Sequence, residues 1–297
     1  MVLRVAVINV YPVPPKSSRL IIRALKDKGV EVKYLPLQFI GLSVGEGSFS
    51  LQIGDKEIEL DGGIVRGLGM ISTIGQFYMR IAFLRFLELK GTYLMNPLDF
   101  LIISRNKLET LVRLYHKGIP VPFTFSSENI KYLYTVLREK GLKEFVLKPI
   151  TGSRGYGTTL LKDPDVFYQI ASLLLQNNIP PLVQRFVHIP QRDIRAFVIG
   201  DRVVASMYRY SNGCWKTNIA QGAIGVKTSL EPEVEELAIR SMQAMNLEYA
   251  GVDIAEENGR FYVLEVNSSP DFEGLMKATG IDIPRLLAEH FLMKLKK

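Results

Sequence analysis

The stretch KPITGSRGYG, residues 148–157, decides how this sequence is interpreted. Three glycines lie within six residues, beside a lysine and an arginine, and glycine backbones can approach a phosphate closely. In a P-loop the lysine follows the glycines and a helix begins there, whereas here Lys148 precedes them. Predicted strands, EFVLKP and TTLL, lie on both sides, so no helix end binds the phosphate. This order of strand, lysine, glycines and strand predicts a hairpin lid that closes over a triphosphate. A glycine-rich turn without a ligand is the simpler alternative.

The composition is that of an ordinary globular protein, with 47% hydrophobic and 23% charged residues among 297. The net charge of +7 is compatible with an anionic partner, and a mildly basic enzyme that binds nucleotides is the plainer interpretation. No basic stripe with interleaved aromatic residues is present, which argues against a nucleic-acid partner. One cysteine, no signal peptide and no apolar run of roughly 18 residues lead us to expect a soluble cytoplasmic protein without a membrane partner.

The order of predicted elements divides the chain by fold class. Up to about residue 95, strands such as VAVINV alternate with helical segments, which predicts a parallel α/β unit. No G-x-G-x-x-G follows the first strand, so NAD is not the expected ligand. Beyond it, predicted helices and strands are mixed and lead into a long, strand-rich segment. In the stretch SRNKLETLVRL we expect Ser104 to cap a helix, with Arg105 and Lys107 in its first turn facing an anion or the solvent.

The hairpin YAGVDIAEENGRFYVLEVN carries the candidate metal ligands Asp253, Glu265 and Asn267. Hard divalent cations such as Mg²⁺ prefer oxygen ligands, commonly one or two carboxylates plus substrate phosphates. Side chains alternate faces along a strand, so the three share a face if a three-residue loop, 258–260, places Asp253 opposite Glu265. A two-residue Asn-Gly turn would move Glu265 to the other face. The metal interpretation therefore requires an odd-numbered loop, and the alternative is a structural acid.

A third group of polar residues lies in the strand-rich segment 190–223. Arginine matches the geometry of carboxylate and phosphate groups, so the group could bind ribose, phosphate and an anionic substrate near a nucleotide. On an exposed sheet face each residue alone would be unremarkable. The members of the group are Arg192, Asp193, Arg195, Arg209, Lys216 and Asn218.

Together these segments resemble the ATP-grasp superfamily, and most of all its RimK-like branch, the α-L-glutamate ligases. The matching pieces run in family order from about residue 104 to 284: SRNKLETLVRL, FVLKPITGSRGYGTTLL, LVQRFV, RDIRAFVIGDRVVASMYR, WKTNIAQGA, GVDI and LEVNSSPDFEGLMKATGIDI. The resemblance implies an ATP-grasp fold with a Rossmann-like pre-ATP-grasp domain over residues 1–95. It also implies two α+β subdomains that grip ATP: a central one with the lid would span 96–183, and a C-terminal one with the metal site would span 184–297.

The resemblance also implies roles for individual residues. Lys107 and Lys148 would contact the phosphates of ATP, and Asp193 would hold the ribose. Asp253, Glu265 and Asn267 would bind two Mg²⁺ ions, or Mn²⁺. The catalytic residues that face the reacting carboxylate and the transferred phosphate would be Arg195, Arg209 and Asn218. The lid would consist of Gly152, Ser153, Arg154, Gly155, Tyr156 and Gly157. The adenine hinge would consist of Gln184, Arg185, Phe186 and Val187, with backbone contacts at Arg185 and Val187.

The sequence departs from the family pattern at two places. Arg185 follows the hinge glutamine where ribosomal-protein-modifying members usually have glutamate. In NIAQGA, Gln221 and Ala223 replace the arginine and second glycine of an R-G-G motif that this branch shares with the lysine-biosynthesis ligases. The W-x-T-N…G-A form and the segment RGLG…QFYMR near Arg66 look more like archaeal ligases that add glutamate to small coenzymes, especially tetrahydromethanopterin.

The activity that the resemblance implies is carboxylate–amine ligation through an acyl phosphate, with ADP and phosphate as products and L-glutamate as the expected amine. A small acceptor such as a pterin or deazaflavin coenzyme is expected, a protein acceptor is the alternative, and a homo-oligomer is expected. Phosphoryl transfer needs positioning and charge neutralisation, which suits a set of lysines, arginines and carboxylates. A phosphotransferase or ATP-binding regulator that makes no amide is the competing class.

Overall fold

The computed structural model describes residues 3–69, 73–152 and 155–296. Its first unit is a four-stranded parallel sheet in the order β2-β1-β6-β7. The strands are β1 Arg4–Asn9, β2 Glu31–Pro36, β6 Gly62–Val65 and β7 Tyr93–Met95. The helices of this unit are α1 Lys16–Lys26 and α2 Ile74–Leu89. This arrangement confirms the parallel α/β unit that the alternating pattern predicts.

A small antiparallel sheet, absent from the sequence prediction, follows β2. Its strands are β3 Gly41–Gly45, β4 Ser48–Ile53 and β5 Lys56–Glu57. Only Leu51 of this sheet is fully enclosed in the apolar core beneath it, and most of its other side chains are exposed or half-buried. The apolar alternation on which strand prediction depends is therefore weak here.

Two short helices lead into a second sheet, which is antiparallel, in the order β10-β9-β11-β8. The helices are α3 Leu98–Ser104 and α4 Lys107–His116, and the strands are β8 Thr124–Ser126, β9 Phe145–Pro149, β10 Thr159–Leu161 and β11 Pro181–Arg185. Helices α5 Ile130–Glu139 and α6 Pro164–Gln176 pack on its core with Phe145 and Phe167. The domain boundaries stay a prediction. Strand β11 spans the boundary expected between residues 183 and 184.

The third sheet is antiparallel with five strands in the order β14-β13-β12-β15-β16. The strands are β12 Arg192–Ile199, β13 Arg202–Tyr210, β14 Ile224–Lys227, β15 Tyr249–Glu257 and β16 Arg260–Asn267. Its helices are α7 Pro232–Ala244, α8 Glu273–Thr279 and α9 Ile283–Leu295. The two antiparallel sheets with their helices confirm the predicted α+β class.

One apolar core joins the first sheet to the third. Val7 and Ile64 of the parallel sheet pack in the same fully buried cluster as Phe197, Tyr249 and Phe291. This contact brings the carboxyl ends of β1 and β6 close to the open face of the third sheet. In parallel sheets that edge is where ligands are usually bound.

The helix expected to begin at Ser104 begins later, at Lys107. Asn106 is its cap, and the Asn106 side chain accepts a hydrogen bond from the backbone N–H of Glu109 at 3.1 Å. Ser104 instead ends α3, where its hydroxyl donates to the carbonyl of Leu101. The predicted cap was wrong because a second, short helix precedes this one. Lys107 does lie in the first turn, whereas Arg105 lies between the two helices.

Among the helices of the described residues, none is long and apolar enough to cross a membrane. The cytoplasmic location stays a prediction. The single cysteine, Cys214, is exposed and free.

Candidate active site

The hairpin of β15 and β16 places Asp253 opposite Glu265, as the metal interpretation requires, but by a different route. Its turn has two residues, Asn258 and Gly259, with φ of 50° and 73°, so the odd-numbered loop that the metal interpretation requires does not form. A β-bulge corrects the register: Asp253 pairs with Glu265 and Ile254 with Val263, which leaves Leu264 as the extra residue. Gly251 pairs with Asn267, so the three candidate ligands meet.

Asp253 lies between two arginines of neighbouring strands. Its Oδ2 is 3.1 Å from Nη2 of Arg209, and its Oδ1 is 3.0 Å from Nη1 of Arg195. The contact between Arg195 and Oδ1 is an ion pair without hydrogen-bond geometry. Among the described residues, the buried Oδ1 therefore has no hydrogen-bond donor. Burial raises the pKa of Asp253 above its ordinary value; the two guanidinium groups oppose this effect and the Asp193 and Glu265 carboxylates add to it. An acceptor oxygen without a donor is the kind of group that a cation would satisfy.

Glu265 and Asn267 continue this set. Glu265 forms an ion pair with Nζ of Lys107. Burial would raise the pKa of Glu265, but Lys107 and, more weakly, Lys148 and Arg195 lower it below the usual range. In one orientation, the Asn267 amide donates to Glu265 Oε1 at 3.3 Å and accepts from Arg195 at 3.2 Å. In the opposite orientation, the amide oxygen of Asn267 faces Glu265 Oε1 at the same 3.3 Å. Two oxygens facing each other are favourable when a cation lies between them, so Asn267 fits either state.

These residues fit a magnesium ion by ligand chemistry. Asp253 and Glu265 supply two carboxylates and Asn267 an amide oxygen, the hard ligands that Mg²⁺ shares with substrate phosphates. Across the described residues, no cluster of three or more His, Cys, Asp and Glu side chains forms a closed metal site. Two carboxylates and an amide leave coordination positions open, as a site completed by phosphate oxygens would need.

Lys148 and Lys107 approach the carboxylates from the second sheet and from α4. Lys148 lies on β9, and burial together with the Lys107 ammonium lowers the pKa of Lys148 to about 8, against the opposing effect of Glu265 and Asp253. The Lys107 backbone N–H donates to the carbonyl of Ile150 at 2.9 Å, which ties the start of α4 to the stem of the lid. Both predicted phosphate ligands therefore lie beside the candidate metal ligands.

Arg209 and Asp193 form a buried ion pair on neighbouring strands. The Arg209 Nε donates to Asp193 Oδ1 at 2.8 Å and its Nη2 donates to Oδ2 at 2.6 Å. The hydroxyl of Thr217 also donates to Oδ2, at 2.6 Å. Asp193, predicted as the ribose ligand, thus has three donors already, and it lines the same cavity as Lys148.

The lid returns over this cavity. Ser153 and Arg154, two predicted lid residues, lie outside the described residues. Gly155 and Gly157 have φ of 71° and 73°, the left-handed region that glycine permits. The carbonyl of Gly155 accepts a hydrogen bond from Nζ of Lys216 at 3.2 Å, and a side chain at Gly155 would lie 2.5 Å from Oδ1 of Asn218. Gly152 and Tyr156 line the cavity.

The predicted hinge forms the opposite wall. Gln184 donates to the Thr124 hydroxyl at 2.9 Å, and Val187 is buried. The Arg185 side chain binds both carboxylate oxygens of Glu257, at 3.0 and 2.8 Å. Its backbone N–H donates to the carbonyl of Phe123 at 2.8 Å, so that N–H is not available to a ligand.

Two cavities meet at the predicted catalytic residues. The smaller, of about 130 Å³, lies between the second and third sheets under the lid. The larger, of about 570 Å³, opens toward the first sheet and is also lined by Arg195 and Asn267. The residues that line both are Gly152, Arg209, Asn218, Asp253 and Glu265. Of the described site residues predicted from the sequence, Gly157 and Arg192 line neither cavity, and each of the others lines at least one.

Sequence reasoning missed several residues of the smaller cavity. Trp215 packs edge-on against Phe186, with ring centroids 6.0 Å apart, and Thr217 binds Asp193. Both belong to the segment WKTN, in which only the charged and amide residues had been considered as ligands. The single tryptophan of the chain was the available signal for an aromatic wall.

Known proteins share both the fold and the sequence pattern. The RimK-like ATP-grasp domain model matches residues 104–291. The probable alpha-L-glutamate ligase 1 of Shewanella amazonensis is 30% identical over 284 residues, covering 95% of this chain and 92% of that protein. The probable alpha-L-glutamate ligase of Legionella pneumophila is 34% identical over 221 residues, covering 74% and 73%. The solved ATP-grasp ligase PsnB, complexed with a minimal precursor, superposes with a TM-score of 0.76 at 18% identity, covering 98% of each chain.

The fold and the site define the class of this protein as the ATP-grasp ligases, enzymes that form carbon–nitrogen bonds. Within that class the chain belongs to the RimK-like family, whose similar members carry the name alpha-L-glutamate ligase. The resemblance to the ATP-grasp superfamily and its RimK-like branch is confirmed.

Proposed function

We propose that this enzyme uses ATP to join L-glutamate to a carboxylate-bearing acceptor, with ADP and phosphate as products. The observation that carries the proposal is the junction of the two cavities, where Arg209, Asn218, Asp253 and Glu265 line both. A nucleotide in the smaller cavity would present its terminal phosphate at this junction. An acceptor in the larger cavity would present its carboxylate there from the other side.

The first step forms a bond between an acceptor carboxylate oxygen and the γ-phosphorus, and the bond from that phosphorus to ADP breaks. Lys148, Lys107 and Arg209 neutralise the phosphate charge, and Asn218 and the lid hold the nucleotide in position. In the second step the amine attacks the acyl carbon of the acyl phosphate, inorganic phosphate leaves with the bridging oxygen, and one proton is released. The protein thus contributes positioning and charge rather than a covalent nucleophile.

Magnesium would be held by Asp253, Glu265 and Asn267, and it would neutralise phosphate charge during the transfer. PsnB has been solved with Mg and ADP. We propose that these three side chains, which the register of the hairpin brings together, would hold two ions.

Asp193 has two candidate roles, and the hydrogen bonds favour the second. A carboxylate that accepts from Arg209 twice and from Thr217 once retains little capacity for a ribose hydroxyl. We therefore propose that Asp193 positions Arg209 at the junction. Phe186, Val187 and Trp215 supply apolar surface for the base.

The acceptor that we propose is a small molecule, such as a pterin or deazaflavin coenzyme. The W-x-T-N…G-A pattern of residues 215–223 supports this proposal. The competing acceptor is a protein or peptide end, which is favoured by the fold similarity to PsnB, since PsnB is complexed with a precursor. Incubating the enzyme with ATP, Mg²⁺, L-glutamate and either coenzyme carboxylates or peptides, and detecting glutamylated products by mass spectrometry, decides between them.

The nucleotide products test the reaction class. The proposal expects ADP and phosphate in equal amounts with the amide. Formation of AMP and pyrophosphate would contradict an acyl-phosphate route, and phosphate transfer without any amide would indicate a phosphotransferase.

We also propose that the enzyme is a homo-oligomer. Helix α2 exposes three large apolar side chains, with exposed fractions of 77% for Ile74, 64% for Tyr78 and 48% for Met79. Such side chains are candidates for burial against a second copy. Light scattering coupled to size-exclusion chromatography measures the mass, and a monomer at all concentrations would contradict the proposal.

A further inference from the structure

The wall of the larger cavity that belongs to the first sheet carries two arginines without a carboxylate partner. Arg66 follows β6, and Arg105 lies between α3 and α4; both line the cavity. In the described part of the chain neither forms an ion pair. Arg66 donates to the carbonyl of Pro270 at 2.8 Å and to the hydroxyl of Tyr249 at 3.4 Å, and Arg105 donates to the carbonyl of Gly69 at 2.7 Å.

Among the described residues, four acidic residues line the same cavity. Three of them are paired with other cations, and the fourth, Asp271, lies next to Pro270 without an ion pair to either arginine. Asp253 is paired with Arg195 and Arg209, and Glu265 is paired with Lys107. Glu273 is paired with Lys16, at 3.3 Å. The two carboxylates at the junction, Asp253 and Glu265, thus form ion pairs with cations at or beside the junction. The far wall therefore carries the two arginine charges against the single carboxylate of Asp271.

The environment of the two arginines is costly for a charge. Arg66 is only 6% exposed, and its guanidinium lies over the ring of Phe272 at 5.3 Å. Arg105 is half-buried with its guanidinium over the ring of Phe77, also at 5.3 Å. Burial and the nearby Arg80 lower the pKa of Arg105. Partly desolvated cations without a counter-ion favour binding of an anion.

Because the guanidinium groups keep free donors that match a carboxylate, we propose that Arg66 and Arg105 bind the carboxylates of the amino-acid substrate and so select an acidic amino acid over a neutral one. This inference rests on the proposed ligase function. The acceptor's reacting carboxylate must lie at the junction, beside Arg195 and Arg209. The attacking L-glutamate keeps two negative carboxylates throughout the reaction, and the far wall offers two cations. The volume of about 570 Å³ is within the usual range for small-molecule sites.

Equilibrium dialysis of radiolabelled L-glutamate and L-glutamine, each with the full-length enzyme saturated with Mg²⁺ and the non-hydrolysable analogue AMP-PNP, tests the inference. The wild type should bind L-glutamate at least about tenfold more tightly than L-glutamine, the size of one charge-assisted hydrogen-bond pair. Arg105→Gln should reduce this preference to less than about threefold, and Arg105→Lys, which keeps the charge, should retain part of it. Arg66→Gln should act in the same direction, with thermal unfolding used to check that it folds.

Arg80→Gln is the matched control. Arg80 lies on α2 and donates to the carbonyl of Leu68 at 2.7 Å, beside the Gly69 carbonyl that Arg105 contacts. Arg80 does not line the cavity. Its variant should keep the preference for L-glutamate. If Arg80→Gln also lost the preference for L-glutamate, the loss in Arg105→Gln would be explained by a displaced loop around Leu68 and Gly69. That result would overturn the role of the Arg105 charge.

Other outcomes separate this inference from the ligase function. Equal binding of the two amino acids by the wild type, no binding of L-glutamate, or an unchanged preference in Arg105→Gln would overturn the inference. If the enzyme still makes ADP and an amide, for example with a neutral amino acid, the ligase function stands. If no amino acid yields an amide, the ligase function itself fails.

Discussion

Arg209 and Asp193 are joined by two hydrogen bonds, of 2.8 and 2.6 Å, and are 4% and 3% exposed at their side chains. The same Arg209 Nη2 lies 3.1 Å from Asp253. One guanidinium therefore connects the carboxylate of Asp193 to that of Asp253, a candidate metal ligand. Removing one partner of a buried ion pair leaves an uncompensated charge, which typically costs about 3–5 kcal/mol.

Replacing Asp193 with asparagine should lower kcat more than it changes the KM for ATP, because Arg209 loses the group that orients it. The variant should also unfold at a lower temperature than the wild type. Steady-state ADP release, measured as a function of ATP concentration, separates the two parameters. A large rise in the KM for ATP with normal kcat would instead support the ribose role that the sequence predicts for Asp193. Asp201→Asn, in the β12–β13 turn, is the control for an aspartate outside the site.

Glu265→Gln should abolish turnover while leaving the fold intact. The substitution removes one of the two carboxylates proposed for magnesium and leaves Lys107 without its ion-pair partner. ADP release across a Mg²⁺ titration, with circular dichroism to verify folding, measures both effects. Glu236→Gln, at an exposed position of α7, should behave as wild type. Full activity of Glu265→Gln would remove Glu265 from the metal site.

Chelation of magnesium by EDTA should stop the wild-type reaction, and added Mg²⁺ should restore it.

Nucleotide binding should weaken as the pH rises above about 8. Burial and Lys107 lower the pKa of Lys148 to about 8, so in the free enzyme this side chain loses its positive charge as the pH passes that value. A bound triphosphate favours the charged form, and binding above this pH must therefore take up a proton. The dissociation constant of AMP-PNP at saturating Mg²⁺ should then increase by up to about tenfold per pH unit.

Lys148→Arg provides the control for this pH dependence. Arginine stays protonated throughout the range, so its variant should show a flatter profile even if its affinity is lower. Identical pH profiles for the two proteins would show that another group titrates. Lys107, Glu265 and Asp253 are the charged neighbours from which such a contribution would come.

The hairpin shows how far the sequence could lead. The alternation rule correctly demanded that Asp253 and Glu265 share a face, and the Asn-Gly turn was recognisable from Asn258 and Gly259. The two requirements conflicted, because a two-residue turn gives the wrong register. The β-bulge at Leu264 resolves the conflict, and no residue type marks it in advance: it is set by packing between β15 and β16.

The sequence predicts that Arg105 faces an anion or the solvent, but it does not predict that Arg66 lines the same cavity wall. Arg66 is distant in the chain from Arg105, which lies two residues before the predicted phosphate ligand Lys107. Only the common core of the first and third sheets brings Arg66 against Pro270 and Tyr249. The motifs that contact the nucleotide are local and dense, so they could be predicted. The residues that would recognise an amino acid depend on how the sheets pack.

Gly155→Ala should impair the lid for two separable reasons. The φ of 71° disfavours any side chain, and a Cβ at this position would lie 2.5 Å from Asn218 Oδ1 and 2.9 Å from Gln221 Nε2. We expect a higher KM for ATP and a kcat reduced by about tenfold or more, because the lid could no longer approach Asn218. Steady-state kinetics and the affinity for AMP-PNP measure the effect.

Gly280→Ala separates backbone strain from the contact with Asn218. Gly280 follows α8 with a φ of 74°, and a Cβ there would meet no atom within 4 Å. Its variant should lose about 1 kcal/mol of stability and keep normal ATP kinetics, because it carries the same strain without the clash. If the Gly155 variant were as active as the Gly280 variant, close approach of the lid to Asn218 would not be needed for turnover. The lid would then act through its backbone N–H groups alone.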